Sequence, residues 1–474
     1  MLGDLAHRGR RKARDLPAVC SGFSAAGHAI HAREFAERKL LAAKQKREVA
    51  CNFTVLPSNT LGAFGQYYTG SIYELGLTSR DQEGIYHVSA SGEALARAFH
   101  DTIVDTPYIK KKLFLDNSLP WTEFTKTATR FNLDGASFSS KERDLLTDLF
   151  LSEELKSDRA LMRRSSLALL MCVLNAYKAA GVSLKYRQIW ELVYAPYYYG
   201  RLQLSKHRSR QVAVSQSEKT CAEFWQYFCL HQFLTQALEN LLTAVLDVVA
   251  GELSGLTVQD ICGRLTSESF SKELHTIHGF QLHRPSDLMA ALGLESPRLT
   301  AAVCRQNQLS FDLSHRSSES SVLDRDANGA GERAAAAVSL LAVLYAKWAG
   351  LNTEVIRMVS SRAGGELHAE LVFPYLAEWF DNKLTWKQAI EPIMSNLILD
   401  QHDRIMYEKG KLESCWLHRM EGRVIKDQDY SPSFRSPRTD NSISILTDLG
   451  LLGMDSNKQL RVTTRGNALL TALK

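Results

Sequence analysis

The sequence lacks the short motifs that carry chemistry in many enzyme families. Its 474 residues contain no G-x-x-x-x-G-K-(S/T) or G-x-G-x-x-G phosphate loop, no H-E-x-x-H zinc motif and no G-x-S-x-G nucleophile turn. The eight cysteines are scattered and include no C-x-x-C pair, which argues against a structural zinc site and a disulfide framework. These absences predict a protein that is not an enzyme and holds no metal or other cofactor.

Long apolar runs are also absent. The best candidate, residues 238–250, is shorter than the roughly 18–20 residues that a membrane helix needs, and it contains Glu239 and Asp247. The first 30 residues show no apolar core of a signal peptide. The content of 45% hydrophobic and 23% charged residues is that of an ordinary folded protein. We therefore expect a cytoplasmic protein of roughly two to four domains that does not contact a membrane.

Positive charge is concentrated at the front of the chain. Residues 1–48 carry 11 Lys and Arg against 5 Asp and Glu, whereas the whole chain has a net charge of +5, so the remainder is nearly neutral. A basic arm of this kind can hold nucleic-acid phosphates without reading their sequence. Two other interpretations stay open: a solvated extension, or a start assigned too far upstream of a domain that begins near Val49.

One pattern occurs twice, near the two ends of the chain. Residues 75–99 and 449–473 align without a gap, and a helix-compatible apolar stretch precedes each copy. Each copy predicts a helix, a short strand, a polar hairpin tip, a return strand and a closing helix. Among the identities are Leu75-Gly76-Leu77 with Leu449-Gly450-Leu451, Val88 with Val462, Gly92 with Gly466, and Ala94-Leu95 with Ala468-Leu469.

Single residues in each copy have predicted roles. We expect Val88 and Val462 to face inward from the return strands. Ser89 and Thr463 stand where the closing helix needs an N-cap oxygen. The glycine three residues later suits a close approach of the helix to the strand before it.

The repeated pattern resembles the wing half of MarR- and PadR-like bacterial regulators, in which leucine-glycine-leucine and threonine-x-x-glycine strings have this spacing. The resemblance covers only the two ends of the chain. It implies a winged helix at each end, a fold that contacts either DNA or protein. More loosely, the chain resembles uncharacterised proteins of bacterial anti-phage and mobile-element operons, which implies partners such as a helicase or a nuclease.

The stretches between the two copies favour helices. Ser139 or Ser140 is expected to cap a helix, residues 217–253 predict a long apolar helix, and a hairpin is predicted around Glu421-Gly422. The predicted fold is therefore mainly α, a helical body flanked by N-terminal and C-terminal winged-helix domains with short β-hairpin wings. The predicted divisions are a basic extension (1–50), an N-terminal winged helix (52–105), a helical middle domain (106–313), a linker (314–331), a helical segment (332–412), and a hairpin with the C-terminal winged helix (413–474).

Clusters of cations identify candidate DNA contacts. The hairpin of the C-terminal copy is positive, whereas that of the N-terminal copy carries Arg80 with Asp81 and Glu83 and is acidic. We therefore expect the C-terminal copy to contact DNA and the N-terminal copy to contact protein, with ordinary surface charge as the alternative. A further basic stretch lies at residues 156–164. The candidate DNA contacts are Lys458, Arg461 and Arg465 in the second hairpin and Arg201, Lys206, Arg208 and Arg210 beside a tyrosine cluster, and the candidate protein contacts are Phe64, Tyr67 and Tyr68.

These patterns favour a non-enzymatic protein of a bacterial multi-protein system, with anti-phage defence as its expected setting, that binds DNA or bridges DNA to partner proteins. One alternative is a kleisin-like subunit of a complex with an SMC-type ATPase, although the middle of this chain is richer in apolar helices than a kleisin's. Another alternative is an unrecognised nuclease or hydrolase. Its candidate groups are Asp400, His402 and Asp403, or Glu366 and Glu370 with Lys383, and a loose metal candidate is formed by His275, His278 and His283.

Overall fold

The protein divides into two units. The structure, a computed structural model, describes residues 41–50, 68–116, 118–128, 130, 139–152, 158–181, 201–205, 208–211, 215–310, 319, 322, 327–351, 355–358, 367–410, 415–432, 438–457 and 459–473. These residues fall within Met1–Leu174 together with Asp440–Lys474, which we call the terminal unit, and within Asn175–Thr439, which we call the central unit. Both copies of the repeated pattern belong to the terminal unit, although they stand at opposite ends of the chain.

Helices make up most of the described chain, which confirms the prediction of a mainly α fold. Within these residues, no helix is long and apolar enough to span a membrane. Short 3₁₀ turns occur at Leu113–Leu115 and Glu378–Phe380, and a π-helical segment at Ile393–Leu399. The α-helices are α1 (Thr69–Glu74), α2 (Ala90–Ile103), α3 (Pro107–Lys110), α4 (Trp121–Ala128), α5 (Ser140–Leu151), α6 (Asp158–Ala179), α7 (Gln216–Val249), α8 (Val258–Leu265), α9 (Glu268–His278), α10 (Pro285–Ala291), α11 (Ala301–Ser310), α12 (Ala330–Trp348), α13 (Ala369–Ala377), α14 (Trp386–Pro392), α15 (Asp400–Glu408), α16 (Thr439–Asp448) and α17 (Thr464–Ala472).

The strands are short and form small antiparallel sheets. In the terminal unit β1 pairs with β4, β2 with β3, and β10 with β11; in the central unit β5 pairs with β6, and β7, β9 and β8 form a sheet of three strands in that order. Hairpins of this size need packing against helices to be stable. The strands are β1 (Glu48–Ala50), β2 (Thr78–Arg80), β3 (Tyr86–Val88), β4 (Ser118–Pro120), β5 (Arg201–Ser205), β6 (Arg208–Gln211), β7 (Leu256–Thr257), β8 (Leu417–Met420), β9 (Arg423–Lys426), β10 (Leu452–Met454) and β11 (Leu460–Val462).

Local sequence determines where several helices begin. The hydroxyl of Ser139 accepts the N–H of Glu142 at 3.2 Å, and the Glu142 carboxylate accepts the N–H of Ser139 at 3.0 Å. This reciprocal capping box at the start of α5 confirms the predicted cap. Ser215 and Glu218 form the same box at the start of α7, and the predicted long helix is confirmed as well.

The core of the central unit lies between α7 and α12. The alanine-rich α12 is buried at every position from Ala334 to Trp348, as expected of a helix that is apolar all round. Phe233 and Leu234 of α7 are fully buried in the same core. The hydroxyl of Tyr345 on α12 donates to the Pro297 carbonyl at 2.7 Å, so the buried ring keeps its polar atom satisfied.

Two polar pairs interrupt this apolar core. The Lys347 ammonium of α12 donates to the Glu319 carboxylate at 2.7 Å, and both side chains are almost completely buried. Ser339, also buried on α12, places its hydroxyl 2.9 Å from Nε2 of His278. Buried charges and hydroxyls need such partners because their desolvation is costly. The pairs are therefore part of the fold rather than of an open site.

The three-stranded sheet combines a predicted hairpin with an unpredicted strand. The hairpin of β8 and β9 around Glu421-Gly422 is confirmed. In the additional strand β7, Leu256 pairs with Val424. The sequence does not predict this strand, because two residues are too few to show an alternating pattern. Gly255 precedes it with a φ of 67°, and a Cβ there would lie 2.7 Å from the Val424 carbonyl oxygen. Only glycine fits this approach of the two strands without displacing one of them.

Candidate functional site

The two copies of the repeated pattern fold alike. The N-terminal repeat consists of α1, the hairpin β2–β3 and α2, and the C-terminal repeat of α16, the hairpin β10–β11 and α17. In each repeat a glycine with positive φ, Gly76 at 73° and Gly450 at 71°, turns the chain from the first helix into the first strand. The order of elements predicted for the two copies is thereby confirmed.

The closing helices begin with the same cap in both repeats. The Ser89 hydroxyl donates to the Gly76 carbonyl oxygen at 2.7 Å and accepts the N–H of the residue three positions on at 3.1 Å. The Thr463 hydroxyl makes the equivalent bonds, to Gly450 and to the third following residue, at the same two distances. The predicted N-caps are confirmed, and each also joins the helix start to the preceding glycine turn.

The glycine of each closing helix is required by a close approach. A Cβ on Gly92 would lie 2.2 Å from the Leu77 carbonyl oxygen, and one on Gly466 would lie 2.4 Å from the carbonyl oxygen of Leu451. These distances are far shorter than any real carbon–oxygen contact, so the prediction of a close helix–strand approach is confirmed at both positions.

An aspartate organises the hairpin tip in both repeats. Asp81 and Asp455 occupy the same position of the alignment. The sequence predicts for them no role beyond that of a charge on the hairpin. In the structure each carboxylate accepts two backbone N–H groups of its own turn. The bonds run to Asp81 from Glu83 at 3.0 Å and Ile85 at 2.8 Å, and to Asp455 from Asn457 and Gln459, both at 2.9 Å.

In the N-terminal hairpin this aspartate has a further partner. The ring Nε2 of His87 lies 2.7 Å from the Asp81 carboxylate. Hydrogen bonds from His87 and, next, from the backbone of Ile85 lower the pKa of Asp81 below its ordinary value. Arg80 lies over the ring of Tyr86 at 4.3 Å from the ring centre. Asp81 and Arg80 are therefore both engaged with side chains of their own hairpin.

The C-terminal hairpin presents one described cation to its surroundings. Arg461 on β11 is exposed, and no hydrogen bond or ion pair of its side chain occurs among the described residues. Lys458, at the tip, lies outside the described residues. Of the two predicted DNA contacts whose side chains the structure describes, Arg461 and Arg465, Arg461 is thus the one without an ion-pair partner.

Arg465 is placed differently from Arg461. Its guanidinium donates to the Asp144 carboxylate at 2.8 Å and to the Thr147 hydroxyl at 3.0 Å, both on α5. The Arg465 side chain is 41% exposed. This cation joins α17 to α5 within the terminal unit, so a role for Arg465 on DNA requires that it leave Asp144.

The other basic stretches give a mixed outcome. In the 156–164 stretch, Arg159 pairs with Glu74, and Arg163 donates to the Leu149 carbonyl at 3.3 Å and lies over the ring of Phe150. Burial lowers the pKa of Arg163. These cations contribute to the packing of the terminal unit. In the 201–210 stretch, the backbone of Arg201, Arg208 and Arg210 forms the hairpin β5–β6, and Lys206 lies outside the described residues.

The two repeats differ in how far their apolar residues are covered. The prediction of an inward-facing valine is right for Val462, which is 4% exposed, and wrong for Val88, which is 69% exposed. Leu451 is likewise fully buried, whereas its counterpart Leu77 is only partly covered. Both valines still lie beside the glycine of the closing helix, since a Cβ added there would be 3.0 Å from a Val88 methyl group or 2.7 Å from a Val462 methyl group. Since that contact is shared, the difference arises because the outer face of the N-terminal hairpin has no further layer over it in the described part of the chain.

Other apolar groups of the N-terminal repeat are exposed as well. Tyr68, a predicted protein contact, is 38% exposed, and Tyr73 and Ile85 are exposed to a similar degree or more. Phe64 and Tyr67, the other two predicted contacts, lie outside the described residues. The N-terminal repeat therefore offers an apolar surface of the kind that protein partners cover.

A groove lies between the N-terminal repeat and α5. Its volume is about 410 Å³, and Asp148, Ser91 and Ser152 are its polar lining residues. Nothing in the sequence pattern indicates this groove, because its two walls come from separate stretches of the chain. The apolar lining consists of Leu77, Ala90, Ala94 and Leu95 from the repeat and Leu145 and Leu149 from α5.

The acidic candidates for catalysis on α15 form ion pairs with an arginine. Arg419 on β8 binds Asp400 at 2.8 Å and Asp403 at 2.6 Å, so one guanidinium bridges both carboxylates of α15. His402 is buried beside the ring of Trp416, with Nδ1 3.2 Å from Asp403. The two carboxylates thereby connect α15 to the β8–β9 hairpin.

The remaining metal and nuclease candidates are only partly described by the structure. Glu366 lies outside the described residues, and Lys383 stands in the turn after Glu378–Phe380, where its N–H is bonded to Asp381. The histidine candidates divide, since His278 is bonded to Ser339 whereas His275 and His283 are exposed. Over the part of the chain that the structure describes, no group of three His, Cys, Asp or Glu is placed to hold a metal ion.

Comparison with known proteins gives no independent guide to this site. No protein-family model, no curated protein and no solved structure matches the chain. The resemblance to the wing half of bacterial regulators therefore stays a prediction that rests on the repeated residues and their geometry.

Proposed function

We propose that this chain is a non-enzymatic protein that bridges DNA and partner proteins, the C-terminal repeat directed to DNA and the N-terminal repeat to protein. The observation that carries the proposal is the difference between two otherwise matching repeats. The C-terminal repeat has a covered core and an exposed cation, Arg461. The N-terminal repeat has engaged charges and an uncovered apolar surface.

The proposed DNA contact is small and independent of sequence. Helix α16 carries Asp440 and Asp448 but no Lys or Arg, so its surface repels phosphate and is not suited to the major groove. The hairpin cations Lys458 and Arg461 are left as the phosphate contacts. Two such contacts supply a non-specific interaction whose strength falls with salt.

The proposal includes a winged-helix assignment for both repeats. This assignment is supported by the order of elements in each repeat: a helix, a glycine turn, a short hairpin held by an aspartate, and a capped closing helix. The wing of a winged helix is a hairpin that follows a helix in this way. The looser resemblance to anti-phage operon proteins extends the proposal to a helicase or a nuclease as the protein partner. The compact core of the central unit remains unlike the thin middle of a kleisin.

The proposal is tested by titrating labelled duplex and single-stranded DNA with the full chain over a series of salt concentrations. The double variant Lys458→Gln/Arg461→Gln should reduce the slope of log affinity against log salt by about 1.8, since each lost phosphate contact removes about 0.9. Lys126→Gln is the matched control, because it removes an exposed cation from α4 of the same unit. An unchanged slope in the double variant would reject the C-terminal repeat as the DNA contact.

A further inference from the structure

The groove between the N-terminal repeat and α5 holds a single carboxylate among apolar walls. Asp148 lines the groove and is exposed, and its side chain has no hydrogen-bond or ion-pair partner within the described residues. A carboxylate in this setting repels phosphate, which argues against DNA as the occupant. It attracts a positively charged group that can also bury aliphatic carbon.

The C-terminal repeat shows which group fits beside α5. Arg465 occupies the position of α17 that Ser91 occupies on α2, and its guanidinium binds Asp144 at 2.8 Å and Thr147 at 3.0 Å. Asp144 and Asp148 stand one turn apart on α5. Helix α5 therefore offers a carboxylate to each repeat, but only the C-terminal repeat supplies a guanidinium of its own.

The geometry points to this groove as the docking site for a partner polypeptide that inserts an arginine flanked by apolar residues. The inference rests on the proposed role of the N-terminal repeat as a protein contact, and it names the chemistry of the partner. The aliphatic stem of the arginine packs against leucine and alanine, and its guanidinium replaces the group that Ser91 is too short to supply to Asp148. The 410 Å³ of the groove accommodates such a side chain with part of its neighbours.

A pair of peptides tests the charge requirement. The probe is a fluorescein-labelled peptide Gly-Leu-Leu-Arg-Ala-Leu-Gly, and its control carries citrulline, an uncharged analogue of similar shape, in place of arginine. The full chain should bind the arginine peptide at least about tenfold more tightly, the effect of one charge-assisted hydrogen bond. Asp148→Asn should remove this preference, whereas Asp116→Asn, which removes an exposed carboxylate elsewhere in the terminal unit, should preserve it.

A variant of the chain tests the geometry without any partner. Ser91→Arg copies the C-terminal repeat into the N-terminal one, and the new guanidinium should fill the groove and bind Asp148. Binding of the arginine peptide should be lost, and the melting temperature should rise. That rise should vanish in the double variant Ser91→Arg/Asp148→Asn, since the two side chains act as a pair.

Several outcomes would overturn the inference. Equal affinity for the two peptides would show an apolar groove without a charge requirement, and no binding of either would remove the site. If the full chain self-associates and Asp148→Asn abolishes this self-association, the groove binds a second copy of the chain instead of a separate partner. The DNA titrations separate these failures from that of the proposed function, because Asp148→Asn leaves both hairpin cations in place and should not change the salt slope.

Discussion

The glycine in the first turn of each closing helix should tolerate no side chain. A Cβ on Gly466 would lie 2.4 Å from the carbonyl oxygen of Leu451 and 2.7 Å from a methyl group of Val462. Gly466→Ala must therefore push α17 away from β10 and β11, and overpacking of this kind costs about 1–3 kcal/mol. The better helix propensity of alanine offsets at most about 1 kcal/mol. We expect the free energy of unfolding of the terminal unit to fall by about 1–2 kcal/mol.

The assay is urea unfolding of the full chain followed by circular dichroism, with Gly453→Ala as the matched control in the same repeat. A Cβ on Gly453 would meet only the Thr463 methyl group at 3.5 Å, an ordinary contact, so its change should stay within about 0.5 kcal/mol. Gly92→Ala should reproduce the loss in the N-terminal repeat, where the carbonyl oxygen is 2.2 Å away. Full stability of Gly466→Ala would refute the close approach of helix and strand on which the description of both repeats depends.

Three further predictions address single interactions. Lys347→Met leaves the Glu319 carboxylate buried without its cation. In urea unfolding the central unit should lose about 3–5 kcal/mol of stability. A loss below about 1 kcal/mol would contradict the buried pair. The hydrogen bond from His87 lowers the pKa of Asp81 in the folded protein. The ionised Asp81 carboxylate therefore stabilises the fold above the unfolded pKa of about 3.9, and this stabilisation is lost as the pH falls through the lower pKa of the folded state. NMR titration should find the Asp81 pKa raised by His87→Ala, and no change would reject the contact. Arg465→Gln should cost no more than about 1 kcal/mol, since the ion pair is partly exposed, and a larger loss would show an additional role.

Local features of this fold are predictable from the sequence. The caps at Ser89, Thr463 and Ser139 follow from hydroxyl residues placed before apolar helical patterns, and each is found where expected. Such features depend on interactions within a few residues, which the sequence displays directly.

Long-range features are not predictable in this way. The pair of Arg465 with Asp144 joins residues at opposite ends of the chain, and its consequence is that one predicted DNA contact serves the fold. Val88 and Val462 stand at the same position of one pattern, yet one is exposed and the other buried, because burial depends on what covers the strand and not on the strand itself. The sequence did offer one signal for the two hairpin tips, since Asp81 and Asp455 are identical at a matched position of the alignment.

The division between a DNA-binding cation and a structural cation is tested most directly by comparing Arg461→Gln with Arg465→Gln in the DNA salt series. We predict that Arg461→Gln lowers the log–log slope by about 0.9 and that Arg465→Gln leaves it unchanged. A reduced slope for Arg465→Gln together with an unchanged slope for Arg461→Gln would contradict this division.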